Sequence, residues 1–331
     1  MLHIGIDIAN GEESPHKLFL ALQEYLEGAS SETLHVFVSA ASLEESPDIY
    51  RESAFIKIYP VTQIINMEDN PIKSVGKKQD SAIVRGLHML KDEKLDFFFS
   101  PGNTGAVVYG ALQILGLIKN LHAPALGVMI PNIHGDVLLL DAGASPLIDE
   151  DRGLDLAVMG KIYYENYFNL KHARVGVLNL GKEWHKGSKW VRKLGSMLKK
   201  DYEIDYFGFV EGFDLFISQC QVFVTGGYTG NILLKALEGM YSFLKHKLSS
   251  GNEKLTELIR GQIHYSRVGA ALLLGFTKDI FVGHGITGPE ALKNALIFAK
   301  EINKLKLGEK IEQEIRNRSF ISKLIRRRRD I

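Results

Sequence analysis

Short apolar runs rich in branched residues alternate along the chain with longer amphipathic stretches, the pattern of strands feeding helices across a mostly parallel sheet. Strands are predicted at Leu2–Ile8, Thr33–Val38, Phe55–Tyr59, Leu95–Ser100, Val137–Asp141, Val175–Asn179, Ile204–Phe209 and Val222–Thr225, with helices between most of them. The expected fold class is α/β. Several of these strands end in Gly, Asn, Ser or Asp, and open α/β sheets bind ligands beyond the carboxyl ends of their strands. From Thr229 to Tyr265 the pattern is almost wholly helical, broken at Ser249–Asn252, which predicts a helical hairpin projecting from the body. No repeat or low-complexity linker divides the chain, so residues 1–315 are expected to form one domain carrying that hairpin, with residues 316–331 as a basic C-terminal tail.

Composition narrows the classes of function. A chain of 331 residues with 45% hydrophobic content has ample material for a core. Its 40 basic and 39 acidic residues nearly cancel, which argues against a general nucleic-acid binder. The single Cys220 cannot form an internal disulfide, and the opening MLHIGIDIANGEESP lacks the basic and apolar regions of a secretory signal, so a reducing cytoplasm is expected. No apolar run approaches the roughly 18 residues of a membrane span, leaving only peripheral contact with a bilayer.

Two segments have the grammar of phosphate cradles. In Ser100-Pro101-Gly102-Asn103-Thr104-Gly105-Ala106 a strand meets a small-residue turn and then a helix, so that unpaired backbone N–H groups face whatever sits above the helix start. Thr225-Gly226-Gly227-Tyr228-Thr229-Gly230-Asn231 repeats it, with Lys235 one turn into the helix, where it could reach back. The alternative for either segment is a tight strand-to-helix turn without a ligand. A dinucleotide site fits poorly, because the glycine spacing is not followed by the short strand and acidic residue that such a site needs. Further polar groups follow two strands at Asp141-Ala142-Gly143-Ala144-Ser145 and at Asn179-Leu180-Gly181-Lys182-Glu183-Trp184-His185-Lys186-Gly187. Lys186 and His185 can hold phosphate oxygens, while Asp141 and Asn179 can orient donors or accept a hydrogen bond from a nucleophile; an ordinary solvated loop and a turn-capping carboxylate are the alternatives. His284, between Gly283 and Gly285, is poorly explained as core packing. The eleven histidines and the carboxylates show no ligand-spaced pair, so neither a metal nor a cofactor is expected.

The series SPGNTGA, LLLDAGAS, LAVMGKIY, RVGVLNLGKEWHKG, VEGFDLF, GGYTGNILLKALEG, GAALLLG and GHGITGPEALKNAL, in this order, resembles the PlsX-type phosphate acyltransferase family of bacterial phospholipid synthesis, from Ile4 to about Ala299. The resemblance implies an α/β/α sandwich related to phosphotransacetylases and to the isocitrate dehydrogenase-like fold, usually dimeric. It also implies transfer of a fatty acyl group from acyl-[acyl carrier protein] to inorganic phosphate, the acyl phosphate then feeding glycerol-3-phosphate acylation. Departures fall in the loops. The family's Asp-Ala-Met-Gly-Gly-Asp is here Asp7-Ile8-Ala9-Asn10-Gly11-Glu12, its Asp-Gly-Phe-x-Gly-Asn begins with Gly226, its Gly-Ala-Asn is Gly143-Ala144-Ser145, and its Gly-Glu-Glu begins Gly181-Lys182-Glu183.

Such chemistry needs positioning more than specialised groups, because phosphate is itself the nucleophile and a thiolate leaves readily. Asn103, Thr104 and Gly105, with Gly227, Thr229, Gly230, Asn231 and Lys235, are assigned to anion binding; Lys186 and His284 are assigned to charge stabilisation, and Asp141 and Asn179 to orientation. From Arg316 to Arg329 seven basic residues interleave with apolar ones, a segment suited to an acidic carrier protein or an anionic membrane, or serving as a solubilising tail. Tyr241, Phe243, Leu244 and Leu248 are candidates for contact with lipid or a second subunit, with helix packing as the alternative. Two other readings stand beside the carrier-dependent enzyme: an acyl-CoA-dependent phosphotransacetylase, and a membrane-associated scaffold without turnover.

Overall fold

The structure, a computed structural model, is described for residues 1–27, 31–248, 268–285 and 287–329. Among these residues eleven strands occur: β1 (Leu2–Asp7), β2 (Glu32–Ser39), β3 (Ile56–Val61), β4 (Phe97–Ser100), β5 (Ala125–Ile130), β6 (Val137–Leu140), β7 (Arg174–Leu178), β8 (Asp205–Val210), β9 (Val222–Val224), β10 (Ala271–Leu274) and β11 (Asp279–Val282). All eight predicted strands are present. The three unforeseen ones have local reasons: β5 opens Ala-Leu-Gly and β10 reads Ala-Leu-Leu-Leu, so propensity points away from strand, and β11 is only a short apolar run.

The described residues form two compact units, one within Met1–Gly116, Leu258–Leu273 and Lys278–Lys304, the other within Leu117–Glu257, Leu274–Thr277 and Leu305–Ile331. In the first, the strand order is β3-β2-β1-β4-β11-β10, parallel except for the β10–β11 pair. In the second it is β5-β6-β9-β7-β8, parallel except for β5–β6. Helices flank the strands of each unit, which makes this the expected mostly parallel α/β architecture.

Strand β4 shows why the parallel strands read as unbroken apolar runs. Phe97, Phe98 and Phe99 are all fully buried, since helices cover both faces of the sheet. Alternation along the strand sends Phe98 edge-on to Phe37, centroids 6.0 Å apart, and Phe97 to Phe281 at 5.5 Å. Burial of each such ring contributes about 2–3 kcal/mol.

A polar chain crosses three neighbouring strands of the same unit. His3 Nδ1 lies 3.1 Å from His35 Nε2, and His35 Nδ1 lies 3.0 Å from the Tyr59 hydroxyl. Burial, then the charges of His3 and Lys57, push the His35 imidazole down to about 4. An unfolded histidine titrates near 6.5, so below that pH the unfolded chain takes up a proton that the folded one refuses. Stability from this site is complete above about pH 6.5 and is lost as pH falls towards 4, a change of about 3 kcal/mol. Urea midpoints measured from pH 7 to 4 should fall accordingly, and His35→Gln should flatten the curve; an unchanged slope in the variant would assign the pH dependence elsewhere.

The predicted hairpin begins as one helix, Gly227–Leu248; residues 249–265 lie outside the described residues, as does the Leu248 side chain. Tyr241 is buried, Leu244 half-buried and Phe243 exposed. At the other end, helix Leu307–Arg329 continues through the basic segment read as a tail. Two of its seven cations are already paired within the protein: Arg316 with Glu312, and Arg318 with Asp201, Glu203 and Glu314.

Candidate active site

In the second unit Asp141 follows β6 and is almost completely buried. One carboxylate oxygen accepts from the backbone N–H groups of Leu126, Gly143 and Ala144 at 2.8–2.9 Å, the other from Ser145 at 2.7 Å. Burial pushes this carboxyl above the ordinary carboxylate range while the four amides pull it back. The side chain therefore moulds the loop Ala142–Ser145.

The helix beginning at Gly227 packs directly on that loop. A Cβ at Gly227 would lie 2.6 Å from Asp141 Oδ2, and one at Gly230 would overlap the Asp141 carbonyl oxygen. A Cβ at Gly143, whose φ is +135°, would meet the Asn231 side chain at 3.3 Å. The glycines thus have a packing reason of their own, close backbone approach, and the same approach sets the first free amides of the helix beside the Asp141 loop. Gly226 stands where the family pattern has Asp; any side chain there would meet Ile148, whose Cγ2 lies 2.8 Å from the Cβ position. Thr229 and Asn231 are exposed at this helix start. Lys235 does not reach back: eight residues into the helix it is about 12 Å along the axis, and its ammonium pairs with Glu238 at 2.8 Å.

Beyond β7, Asn179 staples the next loop by donating to the carbonyls of Gly181 and Lys186 at 3.0 and 3.2 Å. Its Oδ1 is buried with no hydrogen-bond partner and presses on the position where Gly187 would carry a Cβ. The Lys186 ammonium meets Glu183 at 2.8 Å, and that hydrogen bond and charge hold the lysine's pKa above its ordinary value. His185 is exposed. Lys182 pairs with Asp214 at 3.0 Å, a buried carboxylate that also accepts from the Glu211 amide. Asp214 was not singled out in the sequence; its only signal is its place in VEGFDLF.

In the first unit Asn103 caps the helix Thr104–Ile114 through Oδ1 and Ala106 N–H at 3.0 Å. Its amide nitrogen donates to the carbonyls of Asn66, Met67 and Asp69, so the side chain is committed to scaffolding. The amides of Thr104 and Gly105 are the free donors here, as at any helix start. Gly105 packs on Pro71, whose Cγ would stand 2.7 Å from an added Cβ. Asp7, missed as a site residue although an acid closing an apolar strand is visible in the sequence, is fully buried and accepts from Ser100 Oγ at 2.7 Å and Asn10 Nδ2 at 2.9 Å. Burial raises its pKa. The Asn10 Oδ1, where the family pattern has glycine, is buried without a partner. His284 is half-buried on a loop whose Gly285 carbonyl accepts from Glu12 N–H at 2.7 Å.

A cysteine nucleophile loses ground. Cys220 is buried, and burial pushes its thiol up to about 12, which leaves it protonated at neutral pH. Among the described residues no group of three or more His, Cys, Asp or Glu side chains is arranged to hold a metal ion.

Comparison with solved structures agrees on the fold. A branched-chain phosphotransacylase from Enterococcus faecalis aligns with a TM-score of 0.62 at 12% identity, covering 92% of this chain and 99% of that one. A phosphotransacetylase from Streptococcus pyogenes gives 0.59, covering 91% and 94%, also at 12% identity. Sequence relatives are nearer. A phosphate acyltransferase of Halothermothrix orenii is 32% identical over 95% of this chain and 98% of its own length. One from Thermoanaerobacter pseudethanolicus is 32% identical over 95% and 97%. With a family model described as fatty acid synthesis protein matching residues 2–310, this chain belongs to that family, whose relatives here are phosphate acyltransferases.

Proposed function

We propose that the protein transfers a fatty acyl group from acyl-[acyl carrier protein] to inorganic phosphate, supplying acyl phosphate for phospholipid synthesis. The observation that carries this reading is end-to-end relatedness to proteins named phosphate acyltransferase, in a chain whose glycine-flanked helix starts suit an anion. A phosphate oxygen attacks the thioester carbonyl, the C–O bond forms, and the tetrahedral oxyanion collapses with cleavage of the C–S bond. The thiolate departs and takes a proton from solvent. Backbone amides at the helix start of Gly227 and the ammonium of Lys186 offset charge on phosphate and on the developing oxyanion, while Asp141 and Asn179 hold the loops that present them. His284 serves charge stabilisation in the first unit. Hydroxylamine added during turnover should yield an acyl hydroxamate only when phosphate is present; a phosphate-independent yield would contradict acyl phosphate formation.

Lys186 works against its own neighbour, because Glu183 already neutralises it. Lys186→Ala should raise the KM for phosphate about tenfold, in line with about 1.4 kcal/mol of lost charge pairing. Glu183→Gln should lower that KM by freeing the ammonium. Unchanged phosphate kinetics in both variants would remove Lys186 from the site.

A homodimer and peripheral contact with an anionic membrane complete the reading. Ile232, Met240 and Phe243 are exposed large apolar side chains on the helix Gly227–Leu248, which supports burial against a second copy. Among the described residues no helix is long and apolar enough to cross a membrane.

A further inference from the structure

Between Lys182 and Lys200 the sequence holds seven Lys or Arg residues and one acid, Glu183, in a chain whose 40 basic and 39 acidic residues nearly cancel as a whole. The helix Lys189–Leu198 buries Val191, Leu194 and Leu198 and turns Lys189, Arg192, Lys193 and Ser196 to solvent. With Met197 and Glu150, those four line an open depression of about 570 Å³. Some of the charge is structural: Arg192 donates to the carbonyls of His185 and Gly187 at 3.1 and 3.2 Å, and Lys199 lies over the Trp184 ring at 5.1 Å. Lys193 pairs with Glu150, the one carboxylate in the depression.

Place adds to charge. This helix follows the Asn179–Gly187 loop at the carboxyl end of β7, and Glu150 opens the helix that follows the Asp141 loop at the carboxyl end of β6. The basic face therefore rises from the end of the sheet where α/β proteins take their ligands. An open basic surface that includes the apolar Met197 suits the acidic face of a folded protein, steered in by charge.

We infer that this helix face docks an acidic partner protein, and that the partner is the carrier bearing the acyl thioester; the partner's identity rests on the acyl transfer proposed above. Anisotropy titration of labelled holo-acyl carrier protein with the full chain, at low and high salt, tests it. Lys189→Glu/Lys193→Glu, an exposed pair whose reversal leaves the core intact, should weaken binding tenfold or more and flatten its salt dependence. Glu150→Gln should tighten it. Phosphate-dependent thiol release from a small acyl-pantetheine thioester should be the same in the double variant as in the unaltered chain. Equal carrier binding by both proteins, or none by the unaltered chain, overturns the docking face. So does loss of CoA affinity or of acyl-pantetheine turnover in the double variant, since the lysines would then serve a small phosphate-bearing thiol. Salt-dependent carrier binding without thiol release from either donor would overturn the enzymatic reading and leave the docking face standing.

Discussion

Replacing Gly230 with alanine is expected to destabilise the protein by about 3 kcal/mol and to abolish phosphate-dependent turnover. The added methyl would overlap the carbonyl oxygen of Asp141, a backbone atom that cannot rotate away, so the helix Gly227–Leu248 or the Asp141 loop must shift. Either shift misplaces the amides at the helix start. Gly239, in the same helix, is the matched control: it is exposed, with nothing within 4 Å of a Cβ, so alanine there should stabilise by about 0.5–1 kcal/mol. Urea denaturation of the two variants checks both signs, and equal effects would contradict the close approach.

Asp141→Asn should lower kcat/KM by a factor of a hundred or more and cost about 2–4 kcal/mol of stability. The amide keeps the shape and loses the match: one of its two ends must present N–H₂ to backbone N–H groups that now meet oxygen. If the nitrogen sits at the single-donor position, Ser145 N–H loses its acceptor; at the other, three amides do. The loop then relaxes and the helix starting at Gly227 loses its seat. Kinetics in the presence of stabilising osmolyte separate the two effects, since a merely unstable enzyme would regain its rate. Full recovery of kcat/KM under those conditions would restrict Asp141 to folding.

Strands with branched or aromatic residues and polar ends were legible in the sequence because local propensity and burial agree there, as in Val175–Asn179 and Leu95–Ser100. Strands β5 and β10 were not, since Ala, Leu and Gly owe their extended state to neighbours supplied by the fold. The loops carrying Asp141, Asn179 and the two glycine-rich helix starts were legible from their place after strands. Side-chain commitments were not. That Asn103 faces inward to three carbonyls depends on a loop distant in sequence, Asn66–Asp69, whereas the pairs Lys186–Glu183 and Lys235–Glu238, each only three residues apart, depend on which rotamer each side chain takes. Gly227 and Gly230 look in sequence like a ligand cradle, and the structure adds a second cause for the same residues, the seating of a helix on a loop.

Acyl transfer to phosphate is read out by a single assay. Free carrier thiol released from a long-chain acyl-[acyl carrier protein] is measured with and without inorganic phosphate, with hydroxylamine present to capture acyl phosphate. Phosphate-dependent release, matched mole for mole by hydroxamate, is the predicted result. No release from a well-folded protein that still binds the carrier would contradict the account and favour a scaffold without turnover.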